Sequence, residues 1–166
     1  TVFGERHEMT REICRLSLVR VEAEVDDAVR KAVSLLGGLH IRQDARVVVK
    51  PNVCSKRNTQ DMIITDPRVL DAILRMLKEK TTNILVVESD NNSGSADDRM
   101  KKSGALDVIE DNGAQFLNLT KDKFEEHRVS DLTIKIPRTV LEADYLVNVP
   151  KMKTHKGAKR RFHITG

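Results

Sequence analysis

Three short stretches of this sequence carry side chains able to bind and polarise an anion. The densest is Lys151-Met152-Lys153-Thr154-His155, directly after Pro150. Two ammonium groups, a hydroxyl and an imidazole so close together suit an anionic ligand, and an imidazole with an unperturbed pKa of about 6.5 can also pass protons near neutral pH. The second stretch is Lys50-Pro51-Asn52 and the third is Glu88-Ser89-Asp90, with Ser93-Gly94-Ser95 close behind it. Lys50, Asn52 and Lys151 are candidate ligands for the anion. Ser93 and Gly94 could add backbone amides at the start of a helix. Lys153, His155, Glu88 and Asp90 are the candidate catalytic groups, the bases holding charge and the acids taking a hydroxyl, a proton or a metal ion.

Each of these has a plainer use. A lysine at a strand end can simply be solvated, two acids can cap the next helix, and a charge run can be the wet face of a helix. Pro150 argues against a helix continuing into the lysine cluster. Metal ligation by His155 with Glu88 or Asp90 lacks a spacing signature, so no metal and no cofactor is assigned. Cys54 lies among Lys50, Lys56 and Arg57, cations that favour a thiolate, but no histidine is near it in the sequence. A packed thiol is the alternative.

The elements that would position these residues are read from hydrophobic period. Residues 46–50, 83–88, 115–119 and 145–149 are short apolar runs, continuous in the middle, as in strands buried on both faces of a parallel sheet. Residues 25–36 and 65–80 carry apolar side chains at helical spacing. The first is closed by Gly37-Gly38 and the second is opened by Thr65-Asp66-Pro67. Further helices are expected near 96–102 and 106–112. Alternation over residues 13–21 predicts a first strand, and Val129, Leu132, Ile134 and Ile136 predict a β-ribbon ending at Pro137.

The expected fold is therefore α/β: a mostly parallel open sheet flanked by helices, with a small β-ribbon excursion near residues 127–137. In such sheets ligands sit outside the carboxyl ends of the strands, which puts all three chemical stretches at one rim. The expected organisation is a leader over 1–11, a single α/β domain over 12–156, and a basic C-terminal tail over 157–166.

The 166 residues suffice for one domain with a real core. The chain holds 29 Lys and Arg against 25 Asp and Glu. Six of those cations and two histidines fall from Lys151 onward, with no acid among them. The remainder is slightly acidic, which argues against a surface that coats nucleic acid, while the basic end could meet phosphate, nucleic acid or an acidic partner. Cys14 and Cys54 are forty positions apart, which excludes a clustered-cysteine zinc or iron–sulfur site and suits a reduced, cytoplasmic chain. No stretch approaches the roughly 20 apolar residues of a membrane span.

Four blocks in order, residues 47–52 (Val-Val-Val-Lys-Pro-Asn), 65–70 (Thr-Asp-Pro-Arg-Val-Leu), 86–90 (Val-Val-Glu-Ser-Asp) and 143–155 (Ala-Asp-Tyr-Leu-Val-Asn-Val-Pro-Lys-Met-Lys-Thr-His), resemble the domain of unknown function 362 family. The resemblance implies an α/β domain often associated with a ferredoxin-type iron–sulfur domain or partner, without a settled activity. Beyond His155 the chain departs from the family's usual Thr-Gly and Leu-Lys-Asn-Leu continuation, which suggests a shortened chain or a trimmed member. The residues point to an enzyme domain that binds an anionic small-molecule substrate at the carboxyl ends of parallel strands, and the resemblance implies a redox association. The alternative is a module docking an iron–sulfur partner or nucleic acid through its basic end.

Overall fold

The computed structural model describes residues 15–57, 63–155 and 158–163, with the backbone alone described at 154, 155 and 158–163. In chain order the elements are α1 (Val25–Leu35), β1 (Val47–Pro51), α2 (Pro67–Lys78), β2 (Ile84–Glu88), α3 (Ala96–Lys102), α4 (Ala105–Asp111), β3 (Gln115–Asn118), β4 (Phe124–Val129), β5 (Leu132–Pro137), α5 (Arg138–Leu141), β6 (Tyr145–Val149), β7 (Lys153–His155) and β8 (Ala158–His163). A single 3-10 turn, Leu119–Lys121, follows β3.

The central sheet has four strands in the order β3-β2-β1-β6, and all three pairings are parallel. The apolar runs of the two central strands, β1 and β2, have the cause their composition implies, burial on both faces, whereas the edge strands β3 and β6 are only partly covered. Val47 and Val49 of β1 join Ile84 and Val86 of β2 and Leu70, Leu74 and Leu77 of α2 in the larger core, along with Met100 and Ile109. Val48, one step out of phase, joins Val87 and Leu119 in a smaller core on the other face, completed by Val140 and Ala143. The α/β architecture with a parallel sheet and flanking helices is thus established.

Local chemistry fixes the helix ends. Asp66 caps α2 by accepting the amide of Arg68 at 2.9 Å, and Pro67 gives up no needed donor in the first turn. Gly37 and Gly38, both at positive φ, close α1: their amides reach Ser34 O at 2.9 Å and Val33 O at 3.0 Å. This is a Schellman closure, which a residue with a Cβ adopts only under strain.

Two expectations differ from what is found. Residues 15–21 form no strand, and Leu16 and Leu18 are each 91% exposed, while residues 13–14 lie outside the described residues. Alternation defines an apolar face but supplies no neighbour, and this segment instead leans on α1, where Ser17 donates to Ala32 O at 2.8 Å. The stretch read as a basic tail contains β8, antiparallel to β7. The β-ribbon is present, and β4 starts at Phe124, earlier than expected.

The chain leaves β1 toward β2 and β3 on one side and later returns to place β6 on the other. Strand order therefore reverses between β1 and β6, the position where open α/β sheets leave a crevice. Thr65 joins the two strand exits. It is buried, its hydroxyl donates to Val149 O at 2.6 Å and accepts the Asn52 amide at 2.9 Å, and its own amide reaches Asn52 O at 2.9 Å. Thr65→Val, similar in shape but without the hydroxyl, is expected to destabilise the fold by about 2–4 kcal/mol in urea unfolding, because two buried backbone groups lose their partner. A loss under about 0.5 kcal/mol would show that Thr65 does not join the strands.

Candidate functional site

Register sets the rim. Lys50 lies opposite Asn148 and Pro51 opposite Val149, so Lys50-Pro51-Asn52 and Pro150-Lys151 leave the sheet side by side. Both exits contain a proline, which cannot extend the ladder and so frees the following residues for other contacts. On the other flank Glu88 lies opposite Asn118.

At the crevice Lys153 extends its ammonium to Ile63 O at 3.0 Å and to Cys54 Sγ at 2.8 Å. The Asn52 carboxamide donates to the same Ile63 carbonyl at 3.1 Å and passes 3.9 Å from the same sulfur. Lys153, Asn52 and Cys54 thus form one cluster. Lys151 is half-buried nearby and adds to the field on Asp66. The carboxyl of Asp66 is held below the usual range chiefly by its hydrogen bond from the Arg68 guanidinium, with Lys151 a smaller cause. His155 ends β7, with its backbone opposite Ala158, and its side chain lies outside the described residues.

Glu88 and Lys50 form a second cluster, with the Lys50 ammonium 3.6 Å from Glu88 Oε2. The Glu88 side chain is only 7% exposed. It also accepts the Val53 amide at 2.9 Å and the Ser89 amide at 2.7 Å, so its oxygens are engaged by the loops on either side. From the opposite direction Arg99, fully buried, donates to Val53 O at 2.7 Å, to Ser89 O at 2.6 Å and to Gly94 O. Val53 is therefore held at its N–H by Glu88 and at its C=O by Arg99. It is the residue between Asn52 and Cys54, so this grip sets where both side chains sit.

Asp90 belongs to a third network. Its Oδ1 accepts the Ala96 amide at 2.7 Å and the Asn118 carboxamide at 2.8 Å, and Asn118 also donates to Asp97 at 2.6 Å. These two hydrogen bonds, the Ala96 amide first, hold the Asp90 carboxyl below its ordinary value. Ser93 and Gly94 form the turn before α3. The Ser93 amide is taken by Asn91 Oδ1 at 2.7 Å and the Gly94 amide by Asn91 O at 2.9 Å, so both already have internal partners.

The sequence reading missed Arg99, Thr65 as a link between strands, Asn118, and the contact of Lys153 with Cys54. For Arg99 a signal existed: Ala96 and Met100 mark the buried face of α3, and a residue three after Ala96 lies on that same face.

Residues 47–162 match the family described as Domain of unknown function (DUF362). The chain belongs to this family. The matched span begins at the first residue of β1 and includes Lys50, Asn52, Glu88, Asp90, Ser93, Gly94, Lys151, Lys153 and His155, so the DUF362 region and the rim coincide. A thylakoid-associated protein of Synechocystis sp. is 22% identical over 130 residues, covering 77% of this chain. The chain spans 40% of the length of that curated relative. No solved structure matches the chain. Among the described residues no helix is long and apolar enough to cross a membrane, and no cluster of three or more His, Cys, Asp or Glu could hold a metal ion.

Arg99→Met keeps the apolar stem of the side chain but leaves the Val53, Ser89 and Gly94 carbonyls without their donor. It is expected to cost about 3 kcal/mol or more in urea unfolding, and a loss below about 1 kcal/mol would deny the clamp its role. The Asp90 hydrogen bonds set a pH dependence. Because the folded carboxyl titrates below its ordinary 3.8, its contribution is complete above that value and is lost as pH falls through the lower, folded value. Asp90→Asn should therefore be less stable than the wild type at neutral pH, with the gap closing in acid. A gap that persists well below pH 3.8 contradicts this.

Proposed function

We propose that this domain binds an anionic small molecule in the crevice between the exits of β1 and β6. Lys50, Asn52, Lys151 and Lys153 hold the anion and His155 completes the group. Glu88 keeps Lys50 at the rim, and Asp90, Ser93 and Gly94 form its polar flank. The observation that carries this reading is the convergence of Lys153 and Asn52 on Ile63 O at the reversal of strand order. Amide and ammonium donors from elements far apart in sequence aim at one point there, the arrangement an incoming oxyanion needs. The proposal puts the site in the cytoplasm, an expectation that rests on there being only two cysteines in the whole sequence.

A second reading is favoured by β8, whose Lys159, Arg160 and Arg161 follow directly on the crevice. A basic strand beside an anion site suits docking of an acidic partner such as a ferredoxin-type iron–sulfur domain, or of nucleic acid.

Inorganic phosphate, sulfate and a short dicarboxylate, titrated calorimetrically into the whole chain, separate the two. Crevice binding is expected for at least one anion. The double substitution Lys153→Ala with His155→Ala should weaken it about a hundredfold, the loss of two charge-assisted hydrogen bonds, while the circular dichroism spectrum is kept. Unaltered affinity in the folded double variant removes the crevice reading. Association with nucleic acid or an acidic protein that weakens steeply with salt, without binding of any of the three anions, supports the second.

A further inference from the structure

Cys54 and Lys153 are separated by 99 positions in the sequence, yet the ammonium nitrogen lies 2.8 Å from the sulfur, closer than a neutral N–H donor and a thiol normally approach. The sulfur sits in the loop whose preceding residue, Val53, is held at both backbone groups by Glu88 and Arg99, and the Cys54 carbonyl is held in turn by Asn91 Nδ2 at 3.3 Å. The lysine nitrogen is fixed from its own side by Ile63 O at 3.0 Å. Both reacting atoms are therefore positioned, and the gap between them is one that a single oxygen atom can span. Cys54 is half-buried, so a small diatomic oxidant can reach a thiol that a large partner would not.

We propose that Cys54 and Lys153 form a reversible nitrogen–oxygen–sulfur cross-link with dioxygen as oxidant, and that this link regulates the crevice. The lysine ammonium releases a proton to solvent. The amine and the thiol then each give up one hydrogen, one oxygen atom enters between nitrogen and sulfur, and the other leaves with the two hydrogens as water. Dioxygen is reduced by four electrons, two from sulfur and two from nitrogen. Four equivalents of a thiol reductant reverse the link: sulfur is attacked and the N–O bond is reduced, so that amine and thiol are reformed, the bridging oxygen leaves as water, and the reductant ends as two disulfides. The regulatory half rests on the anion-binding reading above: the bridged nitrogen is no longer an ammonium, so the crevice loses one of its cations while the link stands.

Intact mass spectrometry of the full chain, purified without oxygen and then exposed to air, tests the link directly. The expected product is heavier by one oxygen and lighter by two hydrogens, returns to the starting mass with dithiothreitol, and yields on proteolysis one peptide pair joining Cys54 to Lys153. Cys54→Ser and Lys153→Arg should each lack it. Loss of two hydrogens without added oxygen, which is a disulfide with Cys14, or gain of two oxygens as a sulfinic acid, overturns the proposal and leaves anion binding untouched. If the link forms, phosphate affinity is expected to fall about tenfold and to recover on reduction. Full affinity in the linked protein overturns the regulatory half and removes Lys153 from the anion site.

Discussion

The rim is organised by the grip on one peptide unit. Val53 follows β1 where the sheet ladder has ended, and a buried amide and carbonyl there must find partners elsewhere. The protein supplies both as charges, the Glu88 carboxylate for the amide and the Arg99 guanidinium for the carbonyl. Burying an ion carries a penalty of several kcal/mol unless its hydrogen-bonding capacity is filled. Arg99 meets this with three carbonyl acceptors from two loops, and Glu88 with two amides and the Lys50 ammonium. Since each charge-assisted hydrogen bond is worth about 1.5–3 kcal/mol, the filled network can offset burial, whereas loss of either ion would leave its own backbone partners unsatisfied. The loops after β1 and β2 are thereby fixed as one unit.

That unit explains which candidate residues meet. Asn52 and Cys54 flank the held peptide and turn toward β6, where Lys153 arrives. Glu88 faces inward and Asp90 caps the start of α3, so the two acids, only two positions apart, work in separate networks. The β2 exit satisfies its own negative charge from loop amides and from Lys50. The β6 exit has no comparable acid: from Lys151 onward every charged residue is basic. The asymmetry between a neutralised acidic flank and a basic flank is the electrostatic ground for the anion binding proposed above.

Much of the fold was legible because burial on both faces leaves a plain mark. The Val47-Val48-Val49 run and its counterpart at 84–87 are the two central strands, whereas the similar run at 145–147 lies at the sheet edge with Leu146 exposed. The cap at Asp66-Pro67 and the glycine pair at 37–38 are similarly local devices that sequence displays directly. What was illegible depended on neighbours. Residues 15–21 alternate as well as many strands do, yet the sheet ends without them. β8 is rich in lysine and arginine, and only its pairing with β7 makes it a strand. Residue types named the rim, but Thr65, Arg99 and Cys54 acquired roles only once distant loops returned to them.

The same dependence bears on how much a lysine cluster can mean. Lys50, Lys151 and Lys153 look alike in the sequence, yet each enters a different field. Lys50 is paired with a buried acid, Lys151 stands near the acid that caps α2, and Lys153 rests on a carbonyl and a sulfur, neither of which carries a formal charge in the thiol state. An ammonium in a partly buried crevice without a carboxylate partner retains more unspent attraction for an anion than one already paired. Among the described residues only Lys50 of the three cations forms an ion pair, and Lys153 is the one whose ammonium meets a thiol.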